Sequence, residues 1–145
     1  IKENEKFLET YNVQITTIDK IVKKLKIDKI DILKIDTQGF EDKVLEGSSQ
    51  LLKKGKIKVI ELELILGFGY TKSLSFFDIE KILTKYKYKL IAISTAGNVI
   101  SYSNYQTDLI YVSSDVFKKI QYLHYKNVSI KDVMNKTDAK NPHSY

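Results

Sequence analysis

The sequence predicts an α/β fold built on a largely parallel sheet. Three observations carry that reading. Short branched-aliphatic runs alternate with stretches of helical period, the pattern of β-α-β units. The run Ile30–Asp36 ends abruptly on a carboxylate and turns through Thr37, Gln38 and Gly39 into a helix, the junction at which open α/β sheets place their ligands. The later strands lie close together in sequence, which suggests an antiparallel edge.

Taken in order, Val13, Ile15 and Thr17 alternate with polar neighbours and suggest a strand with one buried face. Thr17 or Asp19 can cap a short amphipathic helix over 19–26, with Ile18, Ile21, Val22 and Leu25 on its apolar side. The second strand, 30–36, is aliphatic in its interior and precedes a helical segment, so it is expected to be parallel and covered on both sides. One helix is expected from Phe40 to Lys54, with Val44, Leu45, Ser48, Leu51 and Leu52 inward and Gly55 as a left-handed cap. Ile57–Leu66 is the third strand. A loop through Gly67, Phe68, Gly69 and Tyr70 follows it, then a helix over about 75–86 that Ser73 or Ser75 caps. Tyr88–Ser94 is a strand, Ala96-Gly97-Asn98 a turn, Val99–Tyr102 a hairpin arm, and Leu109–Val112 the last strand before a final helix through about Leu123. The pattern weakens after Lys126. Residues 1–125 therefore read as one domain portion, and 126–145 as a partly disordered extension.

Composition narrows the function classes. The chain has 145 residues, and 43% of them are hydrophobic, enough for a core. It contains no cysteine, which excludes disulfides, thiolate metal sites and cysteine nucleophiles and fits a reducing, cytoplasmic setting. The formal charge is +6. Its lysines are interleaved with acids along the whole chain, a pattern that favours a solvated surface over a nucleic-acid patch. No apolar run approaches the roughly 20 residues of a membrane span. The first residue is not Met, and the charged opening Ile1–Lys6 is no signal peptide, so the chain is expected to begin inside a longer protein. His124 and His143 lack the spacing of metal ligands, and no metal site is expected.

The candidate chemistry gathers around the strand–turn–helix. Asp36 is either a carboxylate offered to a substrate hydroxyl, a methyl donor or a metal, or a cap for the helix that follows Gly39. Lys34, in the middle of an apolar strand, must be paired or reach out to solvent. A buried pair with Glu63, on the expected neighbouring strand, is the favoured reading. Gln38 and Glu41 can face the same cleft, or serve as a solvated turn residue and a first-turn acid. Glu63, with Gly67, Gly69 and Tyr70 beyond it, forms a second possible wall.

Several stretches together resemble the C-terminal part of the FkbM family of S-adenosylmethionine-dependent methyltransferases. They are Thr16–Asp19, Ile30–Gly47, Val59–Glu63, Tyr70 and Asp108–Val112. The family's Lys-Ile-Asp-x-Gln/Glu-Gly-x-Glu followed by Val-Leu-x-Gly is matched at Lys34, Ile35, Asp36, Gln38, Gly39, Glu41, Val44, Leu45 and Gly47. The resemblance covers about 13–114. It implies a Rossmann-like class I methyltransferase, a three-layer sandwich whose mostly parallel sheet ends in an antiparallel strand, incomplete here at its N-terminus. It implies methyl transfer to a hydroxyl of a sugar or small molecule, with S-adenosylmethionine as donor in the full-length protein. Asp36, Glu41 and Lys34 would then be catalytic or supporting, and Gln38, Gly39, Glu63 and Tyr70 would bind the acceptor. Asp36 would have a share in the cofactor pocket. The family's glycine-rich cofactor loop is absent and would precede Ile1, so the chain alone is expected to bind donor weakly and not to turn over. The other readings are a non-catalytic α/β binding domain that meets a partner through its sheet edge and, behind it, a nucleic-acid methyltransferase. The oligomeric state is not legible in the sequence.

Overall fold

The computed structural model describes residues 11–66, 74–94 and 105–125. The elements run α1 (Ile18–Leu25), β1 (Ile30–Ile35), α2 (Glu41–Glu46), α3 (Ser49–Lys53), β2 (Ile57–Leu66), α4 (Phe76–Lys85), β3 (Lys89–Ser94), β4 (Tyr105–Val112) and α5 (Ser114–Tyr125). The chain divides into two compact units, Ile1–Ser114 and Asp115–Tyr145.

The first unit is an α/β structure. Its four strands form a mixed sheet in the order β1-β2-β4-β3. β1 and β2 are parallel, and β4 runs antiparallel to both its neighbours. The last strand is therefore antiparallel, as expected, and it is inserted between β2 and β3 rather than added at an edge.

One face of the sheet carries the core. Along β2 the residues Ile60, Leu62 and Leu64 are buried, while Glu61 and Glu63 between them are half-exposed. Ile35 of β1 and Leu109 and Tyr111 of β4 join the same buried cluster. So do Val22 of α1, Leu45 of α2, Leu51 and Leu52 of α3, and Ile79 and Leu83 of α4. The helices of this unit thus cover one face, and among the described residues the layers number two rather than three. The hydroxyl of buried Tyr88 donates to the carbonyl of Ile57 at 2.6 Å, and that of Tyr111 to Glu80 of α4 at 2.7 Å. Burial and the Glu80 carboxylate both hold the Tyr111 phenol well above its ordinary range.

Local chemistry explains most boundaries. Thr17 caps α1 by accepting from the Lys20 N–H. Ser75 and Asp78 form a reciprocal capping box on α4. Gly55, at φ 61°, ends α3 in the left-handed region, with the N–H groups of Gly55 and Lys56 returned to Leu52 and Leu51.

Four expectations are corrected. Residues 11–17 form no strand, and Val13 and Ile15 are exposed, because nothing among the described residues supplies them a ladder. Among the described residues β1 lies at the edge of the sheet and is not covered on both sides. Asp31, Ile32 and Lys34 are exposed along it, and among the described residues it pairs with β2 alone. The helix expected over Phe40–Lys54 is broken at Gly47–Ser48 into α2 and α3. Asp19 causes the break from outside. Its N–H donates to the Gly47 carbonyl, and its carboxylate accepts from the N–H groups of Gln50 and Leu51 at 2.9 and 3.1 Å. Of the apolar side of α1, only Val22 is buried; Ile21 and Leu25 are exposed. The expected hairpin arm Val99–Tyr102, the Gly67–Tyr70 loop and the extension from 126 lie outside the described residues.

Candidate active site

The site forms where β1 and β2 end. Ile35 is in register with Leu62, so the next residue, Asp36, leaves its strand opposite Glu63. Glu63 in turn is in register with Asp108 of β4. Three carboxylates therefore lie in a row across the open face of the sheet, just past the end of β1 and near the carboxyl end of β2.

The turn after β1 brings a donor between the first two. Gln38 has φ 53° and Gly39 φ 102°, both in the left-handed region that side chains disfavour. From there the Gln38 amide nitrogen reaches Asp36 Oδ1 at 2.8 Å and Glu63 Oε2 at 3.0 Å. Both of its hydrogens are thus committed to carboxylates. Burial pushes the Glu63 carboxyl above its ordinary range. The negative charges of Asp36, Asp108 and Glu41 push the same way, and only the Gln38 hydrogen bond opposes them.

Glu41 is placed differently from its neighbours. It is 6% exposed, and its Oε1 accepts from the Thr37 N–H at 3.2 Å, the Thr37 hydroxyl at 3.1 Å and the Gly39 N–H at 3.1 Å. The carboxylate holds the turn. Asp36 does not cap the helix: Phe40 stands at the N-cap of α2, and no side-chain capping bond is made there.

Lys34 is paired, but not with Glu63 and not in a buried site. Its Nζ lies 2.7 Å from Glu61 Oε1, with half of the lysine side chain exposed. Lys34 is in direct register with Glu61, which sets the partner. That hydrogen bond and charge raise the Lys34 pKa, with Asp108 and Asp36 adding to the effect. Tyr70, Gly67 and Gly69 lie outside the described residues. Sequence reasoning missed Asp108, which it named only as the first residue of the family-like stretch Asp108–Val112. Its signal was its place directly before the apolar run Leu109–Val112.

Among the described residues no three His, Asp or Glu side chains are grouped to hold a metal ion, and no helix is long and apolar enough to cross a membrane.

An α/β sheet with a polar, carboxylate-bearing turn at the ends of its parallel strands is the frame of a small-molecule-transforming or ligand-binding domain. A family model described as the methyltransferase FkbM domain matches residues 2–90, more than half of the chain. The chain belongs to the FkbM methyltransferase family. The matched span starts before the expected residue 13 and ends before the expected residue 114, so Asp36, Gln38, Glu41 and Glu63 fall within it and Asp108 does not. No curated protein and no solved structure gives a significant match.

Proposed function

We propose that this chain forms the acceptor side of an S-adenosylmethionine-dependent methyltransferase acting on a hydroxyl group of a sugar or small polyol. The observation that carries this reading is the Gln38 clamp. With both amide hydrogens of Gln38 given to Asp36 and Glu63, the oxygens left on these three side chains are acceptors. Such a surface selects a ligand rich in donors, such as adjacent hydroxyls.

Asp36 is the residue best placed to act on a hydroxyl proton. It is exposed, and its Oδ1 is oriented by Gln38. Its second oxygen is then available to accept the acceptor's O–H, hold it in line for attack and take the proton as the oxygen is methylated. Glu63 forms the second wall, and the Lys34–Glu61 pair lies one register step beneath. The acidic row also complements a cationic sulfonium, so the described residues fit the reactive end of the donor. Bound there, the donor supplies an electrophilic methyl group. Tyr70 is proposed with them as an acceptor contact.

The same row speaks against nucleic acid as acceptor. Three carboxylates at the strand ends repel phosphate, whatever the net charge of the whole chain.

The test is transfer of labelled methyl from S-adenosylmethionine by the polypeptide that carries this chain, offered polyols and sugars, amines and RNA in parallel. Label is expected on hydroxyl oxygen, and Asp36→Asn is expected to lower transfer by about 10²-fold or more. Label on RNA, or full activity of Asp36→Asn, would overturn the reading.

A further inference from the structure

We infer that Glu41 is a positioning residue, whose buried carboxylate holds the Thr37–Gly39 turn so that the Gln38 amide sits between Asp36 and Glu63.

Neighbouring carboxylates repel one another. The sheet register sets Asp36 and Glu63 side by side, and both accept from the neutral Gln38 amide. Two adjacent carboxylates need a donor between them, or one must take up a proton. Gln38 provides that donor only because its backbone lies at φ 53°, a conformation that costs a non-glycine residue energy and persists where the surroundings enforce it.

The enforcing group is Glu41. One of its oxygens collects three donors, the Thr37 N–H and hydroxyl on one side of Gln38 and the Gly39 N–H on the other. Glu41 is the first residue of α2 and is buried, so the anchor is fixed to the helix rather than to a mobile surface chain. With that oxygen so engaged beneath the turn, Glu41 does not take the hydroxyl proton. It acts through Gln38, which orients Asp36. The catalytic meaning of this role rests on the hydroxyl-acceptor reading above; the geometry does not.

The readout is the titration of the Glu63 side-chain carboxyl, followed by carbon-13 NMR. The groups facing Glu63 are Asp36 and Gln38 from the end of β1, Glu41 from α2 and Asp108 from β4. Lys34, which feels Asp36 and Asp108, is held by Glu61. In Glu41→Ala the clamp opens, and the Glu63 midpoint is expected to rise, because losing the Gln38 bond outweighs losing the weaker repulsion of Glu41. Glu41→Gln keeps an acceptor oxygen at the turn, so the Gln38 side-chain amide signals are expected to stay at their wild-type positions and the midpoint not to rise. Thr37→Val removes one of the three anchors and leaves the Glu41 charge in place; it is expected to raise the midpoint as well, and it keeps the question answerable should Glu41→Ala fail to fold. A Glu41 that merely favoured the helix would leave Glu63 unmoved in Thr37→Val. That outcome, or an equal fall of the midpoint in Glu41→Ala and Glu41→Gln, overturns the inference. Neither donor nor acceptor enters these measurements, so the inference can fail while methyl transfer to a hydroxyl stands, and the reverse.

Discussion

Glu63 is the residue at which the cost of the acidic row is concentrated. Burial raises its pKa in the folded protein, and so do the carboxylates that face it. A carboxyl whose folded pKa lies above its unfolded value binds more protons in the native state. Its contribution to stability is therefore fully present below the unfolded value of about 4.5 and is lost as pH rises through the higher folded value. Near pH 7 the charged Glu63 thus works against folding. Glu63→Gln, which retains an oxygen able to accept from Gln38, is expected to stabilise the chain at neutral pH. The gain should disappear at about pH 4, where the wild-type carboxyl is already protonated. Urea unfolding at the two pH values checks this, and a mutant that is less stable at neutral pH would contradict it. Asp36 and Glu63 were legible as candidates because their residue types and their places near strand ends are written in the chain, whereas Asp108 was not singled out. Their pairings were not. Lys34 was matched to Glu63, yet a register difference of two residues gives it Glu61 instead, and register between strands far apart in sequence is set by packing.

At the scale of elements, Asp19 illustrates what periodicity cannot see. The stripe Val44, Leu45, Ser48, Leu51, Leu52 was correctly read as inward, and Leu45, Ser48, Leu51 and Leu52 are buried. The break within it comes from a carboxylate about thirty residues earlier, which takes the first free N–H groups of α3. Gly47 allows the approach, since a Cβ there would lie 3.2 Å from the Thr17 Cβ. A five-residue helix has little stability of its own. Asp19→Ala is expected to cost about 1–2 kcal/mol in chemical denaturation and to expose the amides of Gln50 and Leu51 to hydrogen exchange. Unchanged protection at those two amides would refute the capping role. The helix ends offer a change in the other direction. α4 is followed by Lys87 at φ 65°, with the Lys87 and Tyr88 N–H groups returned to Thr84 and Leu83, the arrangement glycine favours after a helix. Lys87→Gly is expected to raise stability by about 1 kcal/mol, visible as a higher denaturation midpoint at unchanged slope.

At the scale of the molecule, the sheet is the organising fact, and it is one-sided among the described residues. Strand alternation, the parallel β1–β2 pair and the antiparallel last strand were all legible, because they follow from period, spacing and the short connection late in the chain. The exposure of β1 was not, because an apolar strand reads the same whether or not a neighbour covers it: Ile32 is as aliphatic as Ile35. The structure separates them. Ile35 is 1% exposed in the cluster beneath the helices, and Ile32, on the opposite face, is 66% exposed. The two faces should therefore answer differently to the same kind of change. Ile35→Ala and Leu62→Ala, both on the covered face, are expected to cost about 2–5 kcal/mol each through lost burial and the cavity left behind. Ile32→Thr keeps the branched shape that suits a strand and gives up little burial, so its cost is expected to stay within about 0.5 kcal/mol. Urea unfolding of the three variants, with slopes compared as well as midpoints, makes the test. If Ile32→Thr proved as damaging as Leu62→Ala, the open face would have to be covered in solution, and the carboxylate row that shares it would be correspondingly less accessible to an acceptor.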